Sequence, residues 1–139
     1  MIPVCNSTDK RGKDLKMNTG GEKILVVDDD DSFRDVVSKM LCRLGYAVLS
    51  ADSGERGLAL FLKNEFDLVM TDFNMSGMDG ILLADYVKEK SPATQVVLMT
   101  GADKAVILSK IKGTAVAKAL FKPFTLAEMD VTVQGLLHP

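Results

Sequence analysis

The residue types in this chain that suit chemistry on an oxygen-rich anion stand directly behind apolar runs. Asp28 and Asp29 open an acidic stretch, Asp28 to Asp31, behind Ile24-Leu25-Val26-Val27. Asp72 follows Leu68-Val69-Met70-Thr71, Thr100 follows Val96-Val97-Leu98-Met99, and Lys122 closes the run 116–121. Short apolar runs rich in β-branched residues read as buried strands of a parallel sheet. Open α/β sheets place their ligands beyond the carboxyl ends of such strands. Carboxylates gathered at that edge repel one another, so they hold a cation or take up protons.

A carboxylate cluster opposite one lysine suits a hard divalent cation such as Mg²⁺, which takes one or two carboxylates, water and phosphate oxygen. With charge repulsion offset in this way, Asp72 is placed to attack phosphorus as a nucleophile. Lys122 would pair with a phosphoryl oxygen as a point charge, and Thr100 would donate a hydrogen bond to another. Positioning plus electrostatics is what phosphoryl transfer asks of a protein. Each feature alone has a plainer reading: an Asp, Ser or Thr behind a strand caps a helix, and Asp30 and Asp31 suit a turn and a helix N-terminus. The complementary types at all of these strand ends together point to a site.

Those residues need a scaffold, and the pattern supplies one. Strands are expected at 24–28, 46–51, 67–71, 95–99 and 116–121, alternating with helices at 32–44, 53–63, 81–90, 103–112 and 125–137. The first helix carries Phe33, Val36, Val37, Met40, Leu41 and Leu44 on one stripe, with Ser32 as its cap and Gly45 as its stop. Gly54 and Gly57 weaken the second helix, and Thr125 with Glu128 forms a capping box for the last. Strands alternating with helices give a parallel sheet covered on both faces, with all strand C-termini on one edge. The expected fold is a doubly wound, flavodoxin-like α/β domain, five strands in the order 2-1-3-4-5, over residues 23–138. In that order the first and third strands are neighbours, so Asp28, Asp29 and Asp72 converge. Residues 1–22 read as a flexible leader in which Met17 offers an alternative start.

The chain has 139 residues, 47% apolar and 26% charged, with a net charge of −2. That is an ordinary globular composition, and its charge argues against direct nucleic-acid binding. Cys5 and Cys42 lack CxxC spacing, which fits a reduced cytoplasmic protein without a zinc site. No run reaches membrane-spanning length. The single histidine, His138, is expected to be solvated, so a mechanism needing histidine borrows one from a partner.

The stretches ILVVDD (24–29), DLVMTDFNMSGMDG (67–80), VVLMTG (96–101) and ALFKPF (119–124) resemble the receiver domain of bacterial two-component response regulators. The resemblance implies that Asp72 is a phosphoacceptor loaded from a phosphohistidine on a sensor kinase or histidine phosphotransfer protein. It implies Mg²⁺ held by Asp28, Asp29, Asp72 and the backbone carbonyl of Asn74. Thr100 would be the switch hydroxyl, Lys122 the phosphate-pairing lysine, and Lys122-Pro123 a cis peptide. Such a protein catalyses only its own phosphorylation and dephosphorylation.

Three departures stand out: Ser76 where the family usually has proline, Ala119 where it usually has an aromatic residue, and a chain that stops after the fifth helix. Val106, Ile107, Leu108 and Ile111 make the fourth helix unusually apolar, and their exposed members would suit an output partner or a dimer through helix 4, strand 5 and helix 5. Two rival readings remain. A haloacid-dehalogenase-type phosphatase would use Asp28-x-Asp30, Thr100 and Lys122 but leaves Asp72 unexplained. A non-phosphorylated adaptor would keep the fold for binding alone.

Overall fold

The computed structural model describes residues 21–139. The expected leader, Met17 included, lies outside the described residues except for Gly21 and Glu22. The elements alternate as β1 (Lys23–Val27), α1 (Asp31–Arg43), β2 (Ala47–Ala51), α2 (Gly54–Lys63), β3 (Leu68–Asp72), α3 (Gly80–Lys90), β4 (Gln95–Thr100), α4 (Lys104–Ile111), β5 (Lys118–Phe121) and α5 (Leu126–Leu137). All pairings are parallel and the sheet order is β2-β1-β3-β4-β5, as expected.

Strand alternation divides the core in two. Leu25, Val27, Val69 and Leu98 face α2, α3 and α4, where they meet Phe61, Leu83, Val87 and Ile107. Ile24, Val26, Met70 and Met99 face α1 and α5, where they meet Val37, Leu41, Met129 and Val133. Each of these side chains is buried, and complete burial of one such side chain contributes about 1.5–3 kcal/mol. Both sheet faces are therefore closed, and the carboxyl edge of the strands is left for chemistry.

Helix starts follow local hydrogen bonding. Ser53 accepts the Arg56 N–H at 3.1 Å and caps α2, and Thr125 and Glu128 form the reciprocal capping box of α5. At α1 the cap is Asp30 rather than Ser32: its carboxylate accepts the Phe33 N–H at 3.1 Å, and Asp31 is already helical. Asp30 keeps an extended backbone because its own N–H is drawn to Asp28 Oδ1 at 2.9 Å. The Val36 side chain, expected on the buried stripe, is 51% exposed, because Val37 and Leu41 carry that face into the core. Gly45 ends the helix region with a φ of 98°, a conformation open to glycine.

In α4 only Ile107 is fully buried, whereas Val106 and Leu108 are exposed, so about half of its apolar residues serve the core. His138 is exposed and pairs with Glu22 at 3.0 Å. Cys42 is disulfide-bonded rather than the reduced thiol that the cysteine spacing led us to expect. Lys122-Pro123 is a cis peptide. No helix among the described residues is long and apolar enough to cross a membrane.

Candidate functional site

The sheet delivers three carboxylates and one ammonium group to a single place. Asp28 continues β1, where its N–H still bonds the Ala51 carbonyl at 3.1 Å. It is fully buried, a costly position for a charge without partners. The partners are present. Asp28 Oδ1 accepts the Asp30 N–H at 2.9 Å, and Oδ2 lies 3.4 Å from Lys122 Nζ. Asp72, the last residue of β3, sets Oδ1 at 3.2 Å from the same Nζ. Asp29 is exposed at the rim, and ligand oxygens of Asp28, Asp29 and Asp72 all lie within 4.8 Å of one another. The strand order explains this convergence, because β1 lies between β2 and β3 and pairs Val27 with Thr71.

Electrostatics sets the character of the site. Two like charges about 4 Å apart near a protein surface repel by about 4 kcal/mol. The Asp72 carboxyl is accordingly raised above its ordinary pKa, first by burial and then by the charge of Asp28, against the opposing pull of Lys122 and the Phe73 N–H. One lysine shared between two carboxylates does not neutralise three. The donor set is entirely carboxylate oxygen, which fits a hard divalent cation.

The surrounding residues form a frame. Thr100, buried at the end of β4, uses its Oγ1 to accept the Ala102 N–H at 3.1 Å. The Thr100 carbonyl accepts the Lys122 N–H at 2.7 Å, while its hydroxyl makes no hydrogen bond to Asp72 or Lys122 among the described residues. Asn74 is exposed on the loop two residues past Asp72. That loop returns tightly: the Gly80 N–H bonds the Phe73 carbonyl at 3.1 Å. A Cβ at Gly80 would meet the Asp72 carbonyl oxygen and lie 2.7 Å from Leu98 Cδ1. Glycine at 80 is therefore what lets α3 begin against the end of β3.

Two contributors escaped the sequence reading. Arg34 donates through Nη1 to the Asp28 carbonyl at 2.8 Å and through Nη2 to Asp31 at 2.7 Å, tying the acidic run to α1. Phe33 places its ring centroid 4.1 Å from Lys122 Nζ. The only signal for Arg34 was its place one helical turn past the acids. Phe33 had been assigned wholly to the core stripe.

The fold and site thus define a doubly wound α/β domain with a carboxylate pocket and one lysine at the carboxyl edge of its five-stranded parallel sheet. The chain belongs to the response regulator receiver domain family, whose model matches residues 24–134. It is similar to the transcriptional regulatory protein ResD of Bacillus subtilis, 32% identical over 122 residues, covering 86% of this chain and 50% of ResD. It is also similar to a probable chemotaxis protein CheY of Rhizobium etli, 30% identical over 118 residues, covering 82% of this chain and 91% of that protein. Among solved structures, chemotaxis protein CheY4 of Vibrio cholerae matches with a TM-score of 0.79 at 30% identity, covering 84% of this chain and 99% of that one. The chain spans about half the length of ResD and 26% of ZraR of Escherichia coli, a transcriptional regulatory protein 33% identical over 114 residues. The family fixes the broad role: receiver domains are signalling switches that bind Mg²⁺ at an acidic pocket and interact with histidine kinases and output domains.

Proposed function

We propose that residues 23–138 form a phosphoacceptor switch in which Asp72 accepts a phosphoryl group from a phosphohistidine of a sensor histidine kinase or histidine phosphotransfer protein. The observation that carries this reading is the placement of Lys122 Nζ between Asp28 and Asp72, at 3.4 and 3.2 Å, beside the carboxylate of Asp29. Asp28, Asp29, Asp72 and the Asn74 carbonyl are the groups that would hold Mg²⁺. When bound, the cation neutralises charge on the carboxylates and on the incoming phosphoryl oxygens.

In the transfer, an oxygen of ionised Asp72 forms a bond to phosphorus as the P–N bond of the donor breaks. The bonding pair stays on the imidazole nitrogen, which then takes a proton. Lys122 shifts from the bare carboxylate to a phosphoryl oxygen. The Thr100 hydroxyl turns from the Ala102 N–H, where it now accepts, to donate to another phosphoryl oxygen. Attack of water on the same phosphorus later releases phosphate and restores Asp72, so the only catalysis is on the domain itself. Movement at Thr100 reaches α4 through the loop 101–103 and alters the α4–β5–α5 face, where Val106 and Leu108 are exposed. That face would meet an output partner or a second copy of the domain.

Incubation with acetyl phosphate and Mg²⁺, read by intact mass, is expected to add one phosphoryl group to wild type and none to Asp72→Ala. Uptake by Asp72→Ala at the wild-type rate would overturn the assignment.

A further inference from the structure

We propose that Phe33 is a positioning residue for Lys122, its ring giving the ammonium group a face to rest on while its anionic partner changes from carboxylate to phosphoryl oxygen. The inference rests on the reading of Asp72 as phosphoacceptor. Lysine is a point charge on a flexible four-carbon stem and carries no directional fork of its own. In the structure three groups locate it: Asp28 Oδ2, Asp72 Oδ1 and the Phe33 ring, whose centroid is 4.1 Å from Nζ. Transfer removes one of them, since the Asp72 carboxylate becomes an acyl phosphate. The ring is untouched by the chemistry. It attracts the cation through its quadrupole in either state.

The ring is itself held. The Phe33 N–H is fixed by the Asp30 cap at 3.1 Å, and Phe124 meets the ring edge-on with centroids 5.7 Å apart at 84°. Phe124 lies two residues past Lys122, beyond the cis Pro123, so one turn supplies both the lysine and the buttress of its ring. The other lysines standing over rings among the described residues, Lys23, Lys104 and Lys110, do so at 5.5, 5.8 and 5.2 Å. The shortest such contact is therefore the one at the site.

The test compares Phe33→Leu, which keeps an apolar side chain but loses the quadrupole, with Phe33→Trp, which keeps the face. Both are read in the full chain with Mg²⁺ and beryllofluoride as the phosphoryl mimic. In wild type the Lys122 ε-methylene protons are expected to resonate upfield through the ring current, with and without beryllofluoride, and F33L is expected to lose that shift. F33L should need about three- to tenfold more beryllofluoride for half-saturation, the scale of one cation–π contact, while F33W stays within about twofold of wild type. The unfolding midpoint of each variant is measured alongside, because a ring that only fills the core would lower stability and leave beryllofluoride binding alone. F33L binding as wild type does, or an unchanged Lys122 shift in F33L, overturns the proposal alone. Failure of wild type to take up beryllofluoride would sink the phosphoacceptor reading, and this proposal with it.

Discussion

Asp72 has to be ionised to act as a nucleophile, yet its burial and the charge of Asp28 oppose ionisation. The sign of the effect on stability follows directly. A carboxyl raised in the folded state contributes stability below its unfolded pKa of about 3.9, and that contribution is lost as pH rises through the folded value. Asparagine cannot ionise, and Asp72→Asn leaves Asp28 as a partner for Lys122. In chelator at pH 7, D72N is therefore expected to unfold at higher urea than wild type, with the gap closing towards pH 3; an equal or lower midpoint at pH 7 would mean that ionised Asp72 does not destabilise the fold. Tyr46 follows the same rule far from the site. Its phenol is buried and pushed up to about 12, by burial first and then by Glu22 and Asp130. Stability is thus expected to fall as pH rises from about 10, the ordinary phenol value, through about 12. Phenolate absorbance in a Tyr86→Phe variant, which leaves Tyr46 as the lone tyrosine, checks this, and a midpoint near 10 counts against it. Asp28, Asp29, Asp72, Thr100 and Lys122 were legible in the sequence because they sit where strands end. Phe33 was not, because a 3.6-residue period tells which face a ring is on and not that its face lies under an ammonium group.

The second helix shows a different kind of information, carried between elements rather than along the chain. Helix propensity alone has Gly57→Ala gaining about 1 kcal/mol. In the structure a Cβ at Gly57 would lie 2.7 Å from Val27 Cγ2. Val27 is fully buried in β1 and, being β-branched, has little rotamer freedom with which to retreat. Overpacking of this kind costs about 1–3 kcal/mol. The net expectation for G57A is a loss of up to about 2 kcal/mol in urea unfolding, and any gain in stability would show that β1 and α2 separate easily. Val27 immediately precedes Asp28, so strain introduced there also bears on the site. Gly54 is similarly tight, with its would-be Cβ 2.8 Å from Met78 Cβ. From the sequence both glycines read only as helix weakeners, since nothing local reveals a neighbour brought in by a crossover. The helix caps were legible where one residue competes for the role, as at Ser53 and Thr125. The α1 cap was displaced because Asp30 is drawn into position by Asp28.

At the scale of the molecule, the parallel sheet and two-sided core followed from alternation and the strand order from the flavodoxin-like class, whereas the balance of charge at the sheet edge needed distances. The whole chain carries only −2, but three carboxylates lie within 4.8 Å of one another at that edge, so repulsion there subtracts from the stability that both core layers supply. A divalent cation that binds this pocket in the folded state and not in the unfolded chain stabilises by linkage, by about 1.4 kcal/mol at ten times its dissociation constant. For a domain of this size that corresponds to a rise in unfolding temperature of about 5 °C. Mg²⁺ is expected to produce such a rise in wild type and much less in Asp28→Asn, where the Oδ1 acceptor for the Asp30 N–H is kept but the charge is gone. The control is sodium chloride at matched ionic strength, because screening also weakens exposed repulsions. Equal rises with the two salts, or an undiminished Mg²⁺ effect in D28N, would mean that the acidic edge is merely screened and that the pocket does not hold the metal.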